Sequence, residues 1–506
     1  MHVWLQLVVA CLSGAGYGLA AAPVGWSALG WVHLAPALVL LVRAPTWRRG
    51  ALLGWATGVG VLASCYGWLA ETVVRFGEVP WAAGVAALVL FVAVFAANWA
   101  MFGAVVAALR TRFGSGWVLV VGWVWVAVEY VVPALFPHLL GSVYYRNPWV
   151  WQIVAVFGPR ALSALAVATN AALAEAWLRR REGRPLPLGV LAVVVGVWLA
   201  NVGFGAWRHA EVEATLSAAP TARVGLVQRA EFPGPEARGP ESLDAWLALS
   251  ERLFEGRPAA AQPELVVWPE SAVVLPLTSN RVWPALQEFT TRRGVGVVLG
   301  GLTRKRDPAD RARRLSWNSV GLYGPDGRIH GVYSKRTLLA FGEYLPWGTG
   351  WVAPYVKGVS HLQPGENPVV FSAPSFRFTT PVCYEAIVAR QLRELDDTDV
   401  IVNVTNDAWF GRTASPHQHA MLAAAAAVTL GRPLVRVAYT GASMVVEPHG
   451  DIVYETTPFT EVAEVVSLRL ATVEAPYRTW GRLFEPVAVG VAALAVGAAW
   501  ARKGGR

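Results

Sequence analysis

The sequence predicts a polytopic α-helical membrane domain of about eight spans joined to an extramembrane α/β domain. Three observations carry this. The 506-residue chain is 55% hydrophobic and only 15% charged, with 25 Trp and 49 Gly, which places part of it in lipid. Its apolar residues gather into runs near the ~20 residues that cross ~30 Å of hydrocarbon. Between two sets of such runs lies a polar region in which β-rich and helical stretches alternate, the rhythm of sheets covered by helices.

The runs fall near residues 3–22, 25–43, 51–72, 81–109, 116–136, 161–178 and 187–206, with a last one at 484–501. They divide the chain into an N-terminal transmembrane domain (1–206), a catalytic-sized polar domain (207–483) and a C-terminal helix with a basic tail (484–506). The first run lacks a basic leader and is followed at once by further spans, so it reads as retained. Cys11 and Cys65 lie inside apolar runs and read as helix-packing residues; with Cys383 the only other cysteine, no disulfide framework is available.

Basic residues set the orientation. Connections carrying Arg43, Arg48 and Arg49, then Arg110 and Arg112, then Arg179, Arg180, Arg181 and Arg184 alternate with poorer ones carrying Arg75, or Arg146 and Arg160. By the positive-inside rule the rich set is cytoplasmic, both termini are inside, and residues 207–483 are outside. Arg502, Lys503 and Arg506 agree. This placement also explains the net charge of +9 without nucleic acid as a partner.

In the polar region, strands are predicted at 222–228, 264–270, 294–303, 376–385 and 399–407 and as hairpins within 317–335 and 441–456, where "GPDG" and "EPHGD" supply the turns. Helices are predicted near 239–255, 281–293, after 385, and at 416–430.

Three strand ends carry ionisable groups. In "VVWPES" the proline stops the ladder and presents Glu270 at the strand's C-terminal edge, where open α/β sheets build sites. Lys335 ends the hairpin in "YSKRTLLAFGEYLP", with Glu343 eight residues on. Cys383, in "FTTPVCYEAIVAR", is delivered at a strand-to-helix junction, where a helix N-terminus lowers a thiol's pKa and offers N–H groups to an oxyanion. Each has an ordinary reading: Glu270, Lys335 and Glu343 as solvated loop charges, Cys383 as a packed core thiol. Together, a carboxylate, an ammonium and a thiol make a base, an oxyanion stabiliser and a nucleophile for acyl transfer involving carbon and nitrogen. His417 and His419, at a predicted helix start with no third ligand nearby, do not read as a metal site, and His449 reads as a turn residue.

"WPES", "SK" and "CYE" in this order resemble the Glu–Lys–Cys triad of the nitrilase, or carbon–nitrogen hydrolase, superfamily. "FGEYLP", "VCYEA", "NDAWFG" (406–411), "HQH" (417–419), "LGRPLVR" (430–436) and the region 128–145, behind a polytopic domain and before one last span, are similar to the bacterial apolipoprotein N-acyltransferase family. That resemblance implies an αββα sandwich for the polar domain. It implies Glu270 as general base, Lys335 as oxyanion stabiliser and Cys383 as nucleophile, with Glu343 holding Lys335 and Tyr384 and Glu385 shaping the acyl and amine site. It further implies a membrane phospholipid such as phosphatidylethanolamine as acyl donor and the N-terminal amine of a diacylglyceryl apolipoprotein as acceptor. No metal or cofactor is called for. The implied setting is the bacterial inner membrane, with the catalytic domain periplasmic and the protein a monomer.

The Trp- and Phe-rich turns at 409–411 and 345–356 suit an interfacial lid or acyl groove, or else ordinary loop packing. Departures from the family pattern are Thr337 where a His is usual, Ala340 for Pro, Ala426 and Thr429 in the helix after "HQH", and Gln228–Arg229–Ala230 after the first strand. They leave two alternatives open: a membrane-tethered amide or nitrile hydrolase, and a silent paralogue that binds lipoproteins.

Overall fold

A computed structural model describes residues 2–132, 134, 136–231, 240–273, 276–277, 282–310, 312–350, 361–394 and 398–501. The chain divides into two compact units: Met1–Val74, Pro80–Ala210 and Ala475–Arg506 form one, and Glu211–Glu474, with the short Arg75–Val79, the other.

The first unit is helical. By length and composition it supplies five apolar stretches able to cross a membrane, or six if the bent pair Trp47–Tyr66 and Trp68–Arg75 is one span. One of the five, Trp81–Val131, has 51 residues, ~75 Å at 1.5 Å per residue and too long for a single crossing. It is broken into Trp81–Phe95, Ala97–Phe113 and Trp117–Val131. The count of about eight therefore becomes several apolar helices. The reasons are local. In place of a span at 25–43, the Asn170 side chain accepts from the Leu34 and Ala35 N–H groups and caps a helix of only eight residues, Ala35–Val42. The span expected at 51–72 bends by 55° at Gly67.

Close backbone approach holds Val3–Ala20 against Trp47–Tyr66. A Cβ on Gly60 would lie 1.9 Å from the Cys11 carbonyl oxygen, and one on Gly14 2.0 Å from that of Thr57. Such small-residue contacts drive helix association where lipid removes the hydrophobic effect. Arg502, Lys503 and Arg506 lie outside the described residues.

The second unit is a two-sheet sandwich. Its strands are β1 (Thr221–Gln228), β2 (Leu265–Val267), β3 (Gly296–Arg306), β4 (Arg314–Tyr323), β5 (Ile329–Ser334), β6 (Val370–Ser372), β7 (Arg377–Thr379), β8 (Val400–Asn406), β9 (Leu434–Tyr439), β10 (Met444–Val446), β11 (Ile452–Glu455) and β12 (Val462–Arg469). The sheets have orders β12-β1-β2-β3-β4-β5 and β11-β10-β9-β8-β7-β6. In each, a parallel trio (β1, β2, β3 and β7, β8, β9) is flanked by antiparallel strands.

Alternation decides the faces. Val224 and Leu226 of β1, Val298 of β3 and Val320 of β4 meet Phe378, Val400, Val402 and Val404 between the sheets. Val227, Val297 and Leu299 point the other way, against Trp246 of the helix Pro240–Glu251 and Leu286 and Phe289 of Val282–Arg293. The second sheet's other face is buried as well, at Ile401 and Arg436, and helices Ser415–Ala423 and Ala425–Leu430 complete the αββα layering.

Three strands were not foreseen: β6, β9 and β12. The strand expected over 376–385 stops at Thr379 because Pro381 has no N–H for the ladder; a single bridge, Val382 to Val404, continues the path. The helix expected after 385 is instead a 3₁₀ turn, Cys383–Ile387, followed by Ala389–Arg393. The helix expected at 416–430 breaks at Ala424.

Candidate active site

β2 and β5 run in the same direction, so their C-terminal ends open on one edge of the first sheet. Glu270 follows β2 in a tight turn. Gly300 N–H donates to the Pro269 carbonyl over 3.1 Å, and a Cβ on Gly300 would sit 2.5 Å from the Glu270 Cα. Glycine is thus what lets the turn lie on β3. Lys335 follows β5 and donates its N–H to the Asn318 carbonyl of β4 over 2.8 Å.

The two side chains converge and are buried with Glu343. Lys335 Nζ lies 2.8 Å from Glu343 Oε2 and 3.7 Å from Glu270 Oε1. The amide of Asn318 donates to Glu270 Oε1 over 2.6 Å and to Glu343 Oε1 over 2.8 Å. The Leu339 N–H donates to Glu343 Oε2 over 2.7 Å. Burial alone would strip the Lys335 proton, but the charges of Glu343 and Glu270 hold its ammonium well above the ordinary lysine value. Burial pushes the Glu270 carboxyl up, against the pull of Lys335.

The second sheet supplies the thiol. Cys383 opens the 3₁₀ turn with φ +52°, a left-handed conformation uncommon outside glycine and frequent at functional sites. Asn403 of β8 braces the turn, donating to the carbonyls of Pro381 (2.8 Å) and Cys383 (3.4 Å). At the end of the same strand the Asn406 N–H donates to Glu270 Oε2 over 2.8 Å. β8 therefore fixes the Glu270 carboxylate and the turn of Cys383 together. The thiol and the Glu270 carboxylate are close enough to act on each other's ionisation.

The expectation of a lowered thiol pKa is not met. Burial first, and the charge of Glu270 second, push Cys383 up to about 12 despite Lys335. A five-residue 3₁₀ turn is too weak a dipole to offset complete desolvation. The resting group is a thiol, and a base must take its proton during attack.

Glu385 is fully buried and ringed by donors: the N–H groups of Val382 (2.8 Å), Arg336 (2.6 Å) and Thr337 (2.9 Å), the Tyr333 hydroxyl (2.9 Å) and the Gln391 amide (2.9 Å). It ties the loop after Lys335 to the turn of Cys383. Thr337, where a His is usual, bonds Gln391 through its hydroxyl. Tyr384 is half-buried and packs on the core between the sheets. Beside Glu343, Phe341, Tyr344 and the fully exposed Trp347 face solvent; residues 351–356 of that turn lie outside the described residues.

Sequence reasoning assigned no role to the brace behind the site. Asp407 accepts from Arg436 Nη2 and pairs with His419 Nδ1, both at 2.8 Å, and Arg436 Nη1 donates to Asn403 Oδ1 over 2.8 Å. Although burial opposes it, Arg436 and His419 hold the Asp407 carboxyl below its usual range. Its charge is met by a guanidinium, an arrangement unlike a metal centre. A signal was available: Asn403 and Arg436 are polar residues flanked on both sides by apolar ones in their strands, where burial demands partners. Glu213, Glu447 and His449 form a second group of potential metal ligands, but Arg469 engages both carboxylates.

The carbon-nitrogen hydrolase family profile matches residues 223–477, and that of the apolipoprotein N-acyltransferase N-terminal domain matches residues 13–172. The chain is 30% identical over 514 residues to an apolipoprotein N-acyltransferase of Geobacter metallireducens, covering 98% of this chain and 95% of that one. It is 31% identical over 509 residues to that of Gloeobacter violaceus, covering 95% and 91%. Among solved structures, an amidase from Nesterenkonia sp. aligns with TM-score 0.37 and 20% identity, over 51% of this chain and 92% of that one. With full-length relatives at this identity, the chain belongs to the apolipoprotein N-acyltransferase family.

Proposed function

We propose that the protein moves a fatty acyl chain from a membrane phospholipid, such as phosphatidylethanolamine, to the N-terminal amine of a diacylglyceryl-cysteine on apolipoproteins, through a thioester on Cys383. The observation that carries this is the meeting of Glu270, Lys335 and Cys383 in one buried site of a chain in this family.

Glu270 takes the thiol proton as Sγ attacks the ester carbonyl. The Lys335 ammonium, kept charged by Glu343, faces the oxyanion that forms. When the tetrahedral intermediate collapses, the carbon–oxygen bond breaks and Glu270 returns the proton to the departing lysophospholipid alkoxide. The lipoprotein amine then attacks the thioester and loses a proton to Glu270, which passes it to the leaving thiolate, restoring the thiol. Glu385 acts by holding the loops, and the exposed aromatic side chains of Phe341, Tyr344 and Trp347 offer the acyl chain apolar surface. The alternation of basic connections supports a periplasmic active site at the inner membrane with both termini cytoplasmic, and we take the protein to act as a monomer.

The test is incubation of the purified protein with acyl-labelled phospholipid and a diacylglyceryl peptide. Hydroxylamine-sensitive label on the protein, absent in Cys383→Ser, and label on the peptide amine are expected. Free fatty acid without acylated peptide would show a hydrolase instead, and equal labelling of both proteins would remove Cys383 as nucleophile.

A further inference from the structure

The β3–β4 ribbon continues past the sandwich as a basic arm. Its pairing runs unbroken from Val297↔Tyr323 to Arg306↔Arg314; β3 is exposed from Arg304 outward, and β4 is exposed at Arg314 and half-buried from Leu315 to Trp317. Cross-strand partners share a face, so Arg304, Arg306 and Arg314 lie together on one side, opposite Ser316 and one another. Lys305, Leu315, Thr303 and Trp317 share the other, where Lys305 Nζ stands 5.9 Å from the Trp317 ring.

Two features make this face unlike an ordinary solvated one. Arg306 and Arg314 are directly opposed like charges, an arrangement that destabilises a ribbon unless an anion joins them. None of Arg304, Arg306 and Arg314 pairs with a carboxylate among the described residues. The nearby Asp307 and Asp310 accept from the N–H groups of Ala309 and Ala312 in the connecting turn, and Asp307 also stands 3.9 Å from the Arg313 guanidinium.

The arginine face is also the catalytic face. Arg314, Ser316 and Asn318 alternate along β4, and the Asn318 side chain holds Glu270 and Glu343. Four residues of strand separate Arg314 from Asn318, ~13 Å, so the arginines and the buried site share one face of the same ribbon. The other face, with Trp317, Leu315 and Lys305, has the mixed apolar and cationic character of segments that rest in a headgroup layer.

We infer that this arm docks on anionic membrane lipids, Arg304, Arg306 and Arg314 gripping their phosphodiester groups beside the active site. The location rests on the proposed lipid-ester chemistry; the binding does not, so its readout is protection rather than turnover.

The test is amide hydrogen exchange of residues 303–317 in the full chain held in nanodiscs. One set is zwitterionic phosphatidylcholine, and the other contains about a third phosphatidylglycerol. Exchange at least about tenfold slower is expected in the anionic discs at ~50 mM salt, lost at ~500 mM salt. It should also be lost in the exposed-surface variant R304Q/R306Q/R314Q, whose exchange in the rest of the sandwich should match that of the unaltered protein and so show it folded. Exchange that ignores phosphatidylglycerol, or protection that survives in the triple variant, overturns the proposal. So does protection in phosphatidylcholine discs on adding inorganic phosphate, which marks a free-anion site, or an acidic peptide, which marks a protein partner.

Discussion

At the scale of single residues, the decisive fact is that Cys383 rests as a thiol. A thiolate–ammonium pair with Lys335 is the alternative, and Lys335 is charged and close, yet Glu343 and Glu270 already balance it. With the thiol pushed up to about 12, its ionised fraction climbs tenfold per unit of pH across the usual range. Iodoacetamide alkylation of Cys383, followed by mass spectrometry of its peptide, should therefore accelerate about tenfold per pH unit from pH 7 to 9 without a plateau. A flat profile would mean a preformed thiolate and remove the need for Glu270 as base. The linkage sign is consistent: because the folded state holds this proton more tightly than the unfolded thiol, at about 8.5, Cys383 withdraws stability as pH rises from there. The same burial that slows general reagents at the thiol near neutral pH suits it, in the proposed reaction, to an ester presented beside Glu270.

At the scale of elements, the site is made by strand ends, and Gly300 of β3 is the tightest joint. A Cβ there would meet the Cα of Glu270 and, at 2.8 Å, the Pro269 carbonyl oxygen and the Ser271 nitrogen. These are backbone atoms and cannot swing aside, so Gly300→Ala must shift the turn that carries the base. A displacement near 1 Å costs on the order of a hundredfold in rate, with about 1–3 kcal/mol in stability. We expect thioester formation to fall by about that factor while the thermal midpoint drops only a few degrees; an unchanged rate would show that the turn has slack. The joint also shows what was legible in the sequence. "WPE", "SK" and "CYE" marked the three groups that the fold brings together, because chemistry marks residue types, and the β-rich runs marked most of both sheets. β9 and β12 were passed over: "LVRVAY" hides a buried arginine in its middle, and "VAEVVSLR" follows the hairpin where the reading stopped. The Asn403–Arg436–Asp407 brace needs three segments brought together by sheet order, which no local pattern encodes. The exact limits of the membrane helices were hidden for a related reason. Hydropathy sees apolar runs, while the caps and breaks at Leu34, Gly67 and Ala96 depend on packing partners such as Asn170.

For the whole molecule, the strongest unspent constraint is charge. The rich basic connections, Arg43 to Arg49, Arg110 to Arg112 and Arg179 to Arg184, recur at every second junction of the expected spans, a bias that orients a chain during insertion and is set by Lys and Arg rather than net charge. Arg110 and Arg179 are paired with Glu175, and Arg110 also with Glu182, so two of these basic positions, from different connections, are knitted into one polar end of the helical unit. An end this charged does not cross lipid readily, which makes the orientation a firm property once set. If the rich set is cytoplasmic, a cysteine at exposed Arg180 should be reached by a membrane-impermeant maleimide only after the cells are permeabilised. A cysteine at exposed Glu461, between β11 and β12 of the sandwich, should be labelled from outside in spheroplasts. The native Cys11, Cys65 and Cys383 give the background in the unaltered protein. Labelling of both sites from the same side would break the alternation and with it the periplasmic assignment. Labelling with the sides exchanged would invert the chain and leave the acyl chemistry facing the cytoplasm, away from any lipoprotein that has already been exported.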